Sequence, residues 1–147
     1  MPRRKKYRTI ANPPIYERFK PVGVRARGLV RTEITLDEYE AIRLADGAGL
    51  SHAAAARKME ISRSTFTRLI ARARGKVADF LINGRLLCVA GGCVHFRRNI
   101  IRCLDCGFDL VIDIGESPAE CPGCGSDHLA DLATGFGQGI HPADKQS

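Results

Sequence analysis

The stretch Leu50-Ser-His-Ala-Ala-Ala-Ala-Arg-Lys-Met-Glu-Ile-Ser-Arg-Ser-Thr-Phe66 governs how the first half of this chain can fold. Ser51 and Ser62 are favourable N-cap residues, so one helix is predicted to begin after each of them. Two helices that cross at a turn of three or four residues need a small side chain where they touch, and Ala56 provides it. The stretch therefore predicts a helix-turn-helix.

The residues on either side extend this pair into a three-helix region over residues 32–86. Thr35, followed three residues later by Glu38, forms a capping box that predicts an earlier helix. Asp46-Gly47 is expected to end that helix, because glycine accepts the left-handed conformation of a helix stop. The third helix has apolar residues at three- and four-residue steps, which predicts one buried stripe: Phe66, Leu69, Ile70, Ala73, Val77 and Phe80.

The face of the third helix opposite the stripe is narrow, polar and basic. On a helical wheel at about 100° per residue, Ser64, Arg68 and Ala71 point away from the stripe. Such a face suits the major groove of double-stranded DNA. The alternative is a plain three-helix bundle with a solvated basic helix, but the caps, the small contact residue and the basic face together favour DNA binding. The candidate DNA-contacting residues of this helix are Arg63, Ser64, Thr67, Arg68 and Arg72.

The net charge of +7 is unevenly distributed along the chain. Residues 1–31 hold ten Lys/Arg and one acid, and residues 61–85 hold six Lys/Arg and one acid, whereas the segment between them is acidic. Two basic blocks indicate contact with a polyanion at particular places. Residues 1–31, called the basic arm, are expected to form local turns and no core element. The arm is either a solubilising tail or a contact for phosphate and minor groove, with these candidate residues: Arg3, Arg4, Lys5, Lys6 and Arg8.

The helix-turn-helix stretch over residues 50–66 resembles the helix-turn-helix of region 4 of bacterial sigma factors. Together with residues 2–6, 19–23 and 36–46, it makes residues 1–86 similar to a prokaryotic family of uncharacterised small proteins with a predicted sigma-like DNA-binding domain. The resemblance implies DNA binding but no particular biological process. One departure is Glu60, which stands where the turn often has glycine, and a left-handed conformation there costs on the order of 1 kcal/mol.

All six cysteines lie in residues 86–130, and four of them form two Cys-x-x-Cys-Gly units, with fourteen residues between Cys106 and Cys121. Two residues between cysteines let both sulfurs face one metal ion, and the following glycine permits a tight turn. Residues 108–114, between the units, are apolar and β-branched enough to form a strand. The spacing predicts a closed tetrahedral metal site with these ligands: Cys103, Cys106, Cys121 and Cys124.

The metal and the two other cysteines allow more than one interpretation. The units resemble zinc ribbons and also, through Cys-Pro-x-Cys-Gly, the iron-binding loops of rubredoxin-like domains, and four sulfurs hold either metal. Zinc is favoured, because a structural ribbon beside a DNA-binding unit needs no redox chemistry. Cys88 and Cys93 could form a second site with His95 and His128, but small buried thiols are the commoner explanation.

Composition and length exclude several classes of protein. No apolar run reaches 18 residues, so no transmembrane helix is expected. The N-terminus has no apolar stretch behind its basic residues, which argues against a secretory signal and predicts a cytoplasmic protein. Its cysteines are then thiols or metal ligands rather than disulfides. No nucleophile–base pair, paired carboxylates or phosphate-binding glycine loop is evident, so we do not expect an enzyme.

We therefore predict a mainly α fold in which a sigma-like helix-turn-helix domain precedes a small β zinc ribbon. The expected parts are the basic arm over residues 1–31, the DNA-binding domain over 32–86, the ribbon over 87–130 and a disordered tail over 131–147. The expected function is sequence-specific binding of double-stranded DNA in transcriptional regulation. The sequence leaves open whether the protein binds as a homodimer. The alternative is a redox or metal-responsive protein whose functional site is a rubredoxin-like iron centre.

Overall fold

The computed structural model describes residues 7–136 of the chain. Within this range it has three α-helices and eight short strands in three small sheets, so the fold is α/β. The prediction of a mainly α fold is therefore wrong. The strands of the metal ribbon were expected, but the helices are flanked by two further sheets that no pattern in the sequence predicts.

The three predicted helices are all present. Helix α1 spans Leu36–Ile42 and continues as a π-helical turn over Arg43–Gly47, α2 spans His52–Met59, and α3 spans Arg63–Asn83. The capping box of Thr35 and Glu38 is confirmed. The side chains of Ser51 and Ser62 accept hydrogen bonds from the backbone N–H groups of α2 and α3, which confirms both N-caps.

Two of the sheets join the basic arm to the segment that follows α3. Strand β1 (Arg8–Ile10) pairs in parallel with β5 (Val94–Phe96). Strand β4 (Leu86–Val89) lies between β2 (Arg18–Phe19) and β3 (Arg31–Ile34), antiparallel to β2 and parallel to β3. The third sheet has β6 (Arg98–Cys103) between β7 (Asp109–Asp113) and β8 (Leu129–Asp131).

The expectation that the basic arm contains no core element is also wrong, because Ile10 of β1 is only 1% exposed. Strands of two to four residues are too short to show an alternating pattern of apolar and polar side chains. Their existence depends on backbone hydrogen bonds to β4 and β5, which lie far away along the chain. The predicted strand between the cysteine units is confirmed as β7.

One hydrophobic core extends from the helices to β5 and to the residues that follow β8. Phe66, Leu69 and Met59 are each fully buried at the centre of the helical part. Phe96 and Phe136 belong to the same cluster, and their ring centroids lie 6.2 Å apart in an edge-to-face contact. The core of the helical part therefore includes residues just before β6 and just after β8, on both sides of the metal ribbon in the chain.

Some predictions concern residues outside the described range. The candidate DNA contacts Arg3, Arg4, Lys5 and Lys6 lie outside residues 7–136, and so does most of the tail that was predicted to be disordered. Among the helices in the described range, none is both long and apolar enough to cross a membrane.

Candidate nucleic-acid face and cysteine centre

The turn between α2 and α3 consists of three residues, Glu60 to Ser62. Glu60 has the left-handed conformation that its position predicts, with φ 57°. The N–H of Glu60 donates to the carbonyl of Arg57 at 3.2 Å, and the N–H of Ile61 donates to the carbonyl of Ala56 at 3.0 Å. The Glu60 carboxylate accepts a hydrogen bond from the hydroxyl of Thr9 in β1. This contact links the turn to β1 and explains why a residue with a side chain is useful there.

The two helices cross on small and apolar side chains. Ala55, Ala56 and Met59 of α2 are at most 2% exposed, and so are Phe66 and Leu69 of α3. Burying a side chain of the size of Phe66 contributes about 1.5–3 kcal/mol relative to leaving it in water. The packing therefore orients the opposite side of α3 towards solvent.

The outer face of α3 consists of Arg63, Ser64, Arg68 and Arg72, and all four residues are exposed. Among the described residues, none of the three arginines has an ion-pair or hydrogen-bonding partner for its side chain. The next cation along α3 differs, because Arg74 makes a two-point contact with Asp46 at 2.8 and 3.2 Å. The outer face therefore offers three guanidinium groups that are not neutralised by nearby carboxylates.

Thr67 is exposed next to this face, but its hydroxyl is already bonded within the protein. The hydroxyl donates to the carbonyl of Arg63 at 3.0 Å, and His52 Nδ1 lies 3.0 Å from the same oxygen. The His52 ring also makes an edge-to-face contact with Phe66. No local sequence signal predicts this contact of His52 with a residue of the next helix.

Strand β1 attaches the basic arm beside α1. The Arg8 guanidinium lies 2.5 Å from the Asp37 carboxylate. The backbone N–H of Ala11 donates to the Glu40 carboxylate at 2.5 Å. Tyr7, at the N-terminal end of the described range, lines a cleft that Arg72 of the outer face also lines. Within the described range, the arm therefore borders the same cleft as Arg72 of the outer face.

The four predicted metal ligands come together in one cluster, called the cysteine centre. Their Sγ atoms all lie within 4.8 Å of one another. The Sγ atoms of Cys103 and Cys124 are 3.6 Å apart, and so are those of Cys106 and Cys121. A tetrahedral ion with bonds of about 2.3 Å to sulfur needs sulfurs roughly 3.8 Å apart. The centre could therefore hold one metal ion.

The two Cys-x-x-Cys-Gly units form similar turns around the centre. Gly107 and Gly125 have φ 77° and 75°, which only glycine adopts without strain. Their N–H groups bond to the carbonyls of Cys103 and Cys121 at 2.9 and 2.8 Å. The backbone also donates to sulfur, since the N–H of Gly123 lies 3.3 Å from Cys121 Sγ. Backbone N–H groups directed at sulfur stabilise the thiolate form that a metal requires.

The pKa values of two thiols in the centre are shifted in opposite directions. The backbone N–H of Cys106 is the main cause that lowers the pKa of the Cys103 thiol to about 7. The N–H of Ser126 lowers the pKa of Cys124, but the adjacent Cys103 sulfur and burial outweigh it and raise that pKa to about 12. Four thiolates this close repel one another unless a cation lies between them, so the donor set suits a metal ion.

The other two cysteines lie away from this centre. Cys88 is buried in β4, and Cys93 is half-buried just before β5. In the described part of the chain, the cysteine centre is the only group of three or more potential ligands that converge on one point. Cys88 and Cys93 therefore do not form a second site of that kind there.

Comparisons with known proteins place the chain among relatives of similar length. A family model described as "Protein of unknown function DUF134" matches residues 1–97. A UPF0251 protein of Chloroherpeton thalassium is 45% identical over 92% of this chain and 90% of its own length. A UPF0251 protein of Methanothermobacter thermautotrophicus is 38% identical over 95% of this chain and 74% of its own length. No solved structure matches the chain.

Proposed function

The chain belongs to the DUF134 family of proteins of unknown function, which includes the UPF0251 proteins, and from that premise we propose that it binds specific sequences of double-stranded DNA. The observation that supports this proposal best is the outer face of α3. Arg63, Arg68 and Arg72 are exposed on it, and no carboxylate among the described residues pairs with them. Guanidinium groups bind phosphate oxygens and the edge of guanine, often through two hydrogen bonds at once.

The arrangement of α2, the turn and α3 supports a helix-turn-helix of the sigma-factor type. In that motif the second helix enters the major groove and its first residues contact base edges. Arg63, Ser64 and Arg68 lie in the first two turns of α3, on the side away from the core. Tyr7, the first described residue of the basic arm, lines a cleft together with Ser62 and Thr65 at the start of α3.

The family match also supports a division of roles along the chain. It ends at residue 97, before Cys103, so the family model covers the helices but not the cysteine centre. We propose that the centre holds zinc in a structural role and that the helical part carries DNA binding. A structural four-sulfur zinc site needs no open coordination position, which agrees with four cysteine ligands.

The experiment is selection of bound duplexes from a random DNA pool with the full-length protein, followed by competition binding. We expect an enriched sequence that outcompetes random duplex DNA. The double variant Arg63→Ala, Arg68→Ala should lose that preference. Arg74→Ala is the control, because it removes one guanidinium group from the same helix at a position paired with Asp46. No enrichment, or equal losses in both variants, would contradict the proposal.

The proposed biological role is transcriptional regulation. Genome-wide mapping of bound DNA should then place the selected sequence near the starts of genes. A palindromic selected sequence would indicate that the protein binds as a homodimer, because two-fold symmetric proteins bind two-fold symmetric sites.

A second candidate function is a rubredoxin-like iron centre that responds to redox state or metal supply. The observation that favours it is the exposure of Cys106 and Cys124 together with the N–H groups that donate to sulfur. Hydrogen bonds to the sulfurs and solvent exposure both tune the potential of iron–sulfur sites. Purified protein with an iron-type visible spectrum and about one iron per chain would favour this function, whereas colourless protein with zinc would reject it.

A further inference from the structure

A cleft of about 830 Å³ lies between β1, the start of α1 and the N-terminal half of α3. Charged side chains of both signs line it, among them Asp37, Glu38, Arg72 and Lys76. The cleft borders the outer face of α3, because Arg72 belongs to both.

Glu38 is the unusual residue of this cleft. It is 3% exposed, and its Oε1 accepts hydrogen bonds from the backbone and hydroxyl of Thr35 and from Lys76 Nζ at 2.7 Å. Its second oxygen, Oε2, is buried without a hydrogen-bonding partner among the described residues. A buried carboxylate oxygen without a partner is unfavourable, so this position favours a ligand that brings a hydrogen-bond donor.

A metal ion is a poor candidate for that donor. In the described range, no three carboxylate, imidazole or thiol groups of the cleft converge closely enough to share an ion. A protonated amine needs only one or two acceptor oxygens, and it can reach Oε2 of Glu38 as well as Oε1 when Lys76, whose side chain is 37% exposed, moves aside. A primary ammonium group therefore suits this end of the cleft.

Arg72 provides the complementary group. Arg72 lies one helical turn before Lys76, so the Cβ atoms of these two residues are roughly 5–6 Å apart. Lys76 is the residue whose ammonium group bonds to Glu38. Among the described residues the Arg72 guanidinium has no ion pair, so it can bind an anionic group. We propose that the cleft binds a small zwitterion, a molecule of amino-acid type whose ammonium bonds to Glu38 and whose acidic group bonds to Arg72.

Such a ligand would regulate the proposed DNA binding, and this step rests on the proposed function. Arg72 cannot bind a DNA phosphate and the acidic group of the ligand at the same time. The ligand therefore weakens DNA binding, and DNA weakens ligand binding by the same factor. The binding of the zwitterion itself does not depend on DNA.

The test of the site uses the full-length protein and the twenty free α-amino acids as probes, first by thermal shift and then by calorimetry. At least one probe should bind, and its N-acetylated and amidated forms should bind at least tenfold more weakly. Glu38→Gln, which keeps the capping box, and Arg72→Ala should each weaken binding at least tenfold, whereas the control Arg74→Ala should not. Absence of binding by every probe, or equal binding by all variants, would overturn the proposal.

The regulatory step is tested separately by titrating the bound probe into a protein–DNA complex. We expect the apparent Kd for DNA to rise in wild-type protein and to stay constant in Glu38→Gln. If the probe binds but never changes the Kd for DNA, the regulatory step is overturned, while the proposed zwitterion site in the cleft remains supported. If the probe binds and no DNA sequence is bound at all, the proposed function fails while the ligand site remains supported.

Discussion

His52 Nδ1 lies 3.0 Å from Thr67 Oγ1, so the first residue of α2 holds a side chain at the edge of the outer face of α3. The Thr67 hydroxyl has one hydrogen, and it donates this hydrogen to the carbonyl of Arg63. The hydroxyl must therefore accept from His52, which places a proton on Nδ1. Thr67, which the sequence predicted as a DNA contact, is thus a residue whose orientation depends on α2.

The first prediction concerns this pair. His52→Ala should weaken specific DNA binding about threefold to tenfold, the equivalent of one hydrogen bond, because Thr67 loses a partner that orients it. Thr67→Ser keeps the hydroxyl and should bind DNA normally. Competition binding measures both, and circular dichroism checks that the helices persist. Wild-type affinity in His52→Ala would show that the contact does not position the DNA-binding face.

The second prediction separates two arginines of the outer face. Arg68→Ala should relax sequence preference, because a bidentate contact with guanine provides roughly 1–3 kcal/mol of discrimination. Arg72→Ala should weaken binding to all duplexes alike, because contacts with phosphate do not depend on sequence. Binding of each variant to a specific and a random duplex tests this. Equal losses on both duplexes in Arg68→Ala would exclude it as a contact to bases.

The third prediction concerns the basic arm, and the structure restricts where the chain may be cut. Arg8 belongs to β1 and pairs with Asp37, so a deletion must end before residue 7 to leave the fold intact. Deleting residues 2–6 removes four cations. For each DNA phosphate that these cations neutralise in the intact protein, the slope of log K against log salt should become shallower by about 0.9. A slope equal to that of the intact protein would instead identify the arm as a solubilising tail.

The fourth prediction concerns the cysteine centre. Cys106→Ser or Cys124→Ser should lower the metal content below one ion per chain, whereas the control Cys93→Ser should retain it. A structural zinc ion can contribute on the order of 10 kcal/mol to folding, so metal loss should unfold the ribbon first. Because Phe96 and Phe136 share a core with the helices, the Tm of the helical part should then fall as well.

Elemental analysis gives the metal content for this experiment, and limited proteolysis locates the unfolded part. Full metal content in Cys106→Ser, or its loss in Cys93→Ser, would show that the ligands are assigned wrongly. An unchanged Tm of the helical part in metal-free protein would show that the shared core does not couple the two parts.

The fifth prediction concerns the turn. Glu60→Gly relieves a left-handed conformation that costs about 1 kcal/mol, but it loses the bond to Thr9, so its stability should stay close to wild type. Glu60→Ala keeps the unfavourable conformation and loses the bond, and should lose about 1–2 kcal/mol. Urea denaturation compares the two variants. Equal destabilisation by glycine and alanine would contradict a conformational cost at this position.

The features that depend on neighbouring residues could be predicted from the amino-acid sequence alone. The N-caps Ser51 and Ser62, the capping box of Thr35 and the two Cys-x-x-Cys-Gly turns all involve partners within four residues. Such contacts recur wherever their motif occurs, because chain geometry alone brings the partners together. The three helices and the four-sulfur cluster were therefore predictable.

The meeting of distant segments, in contrast, became known only from the folded chain. Arg8 of β1 pairs with Val94 of β5, and Thr9 bonds to Glu60, although neither pairing leaves a local pattern in the sequence. Strands of two to four residues are defined by their partners and not by their own periodicity, which is why a predicted basic arm became part of an α/β fold. The cleft with its unpaired Glu38 oxygen exists for the same reason, since β1, α1 and α3 contribute its walls from separate parts of the chain.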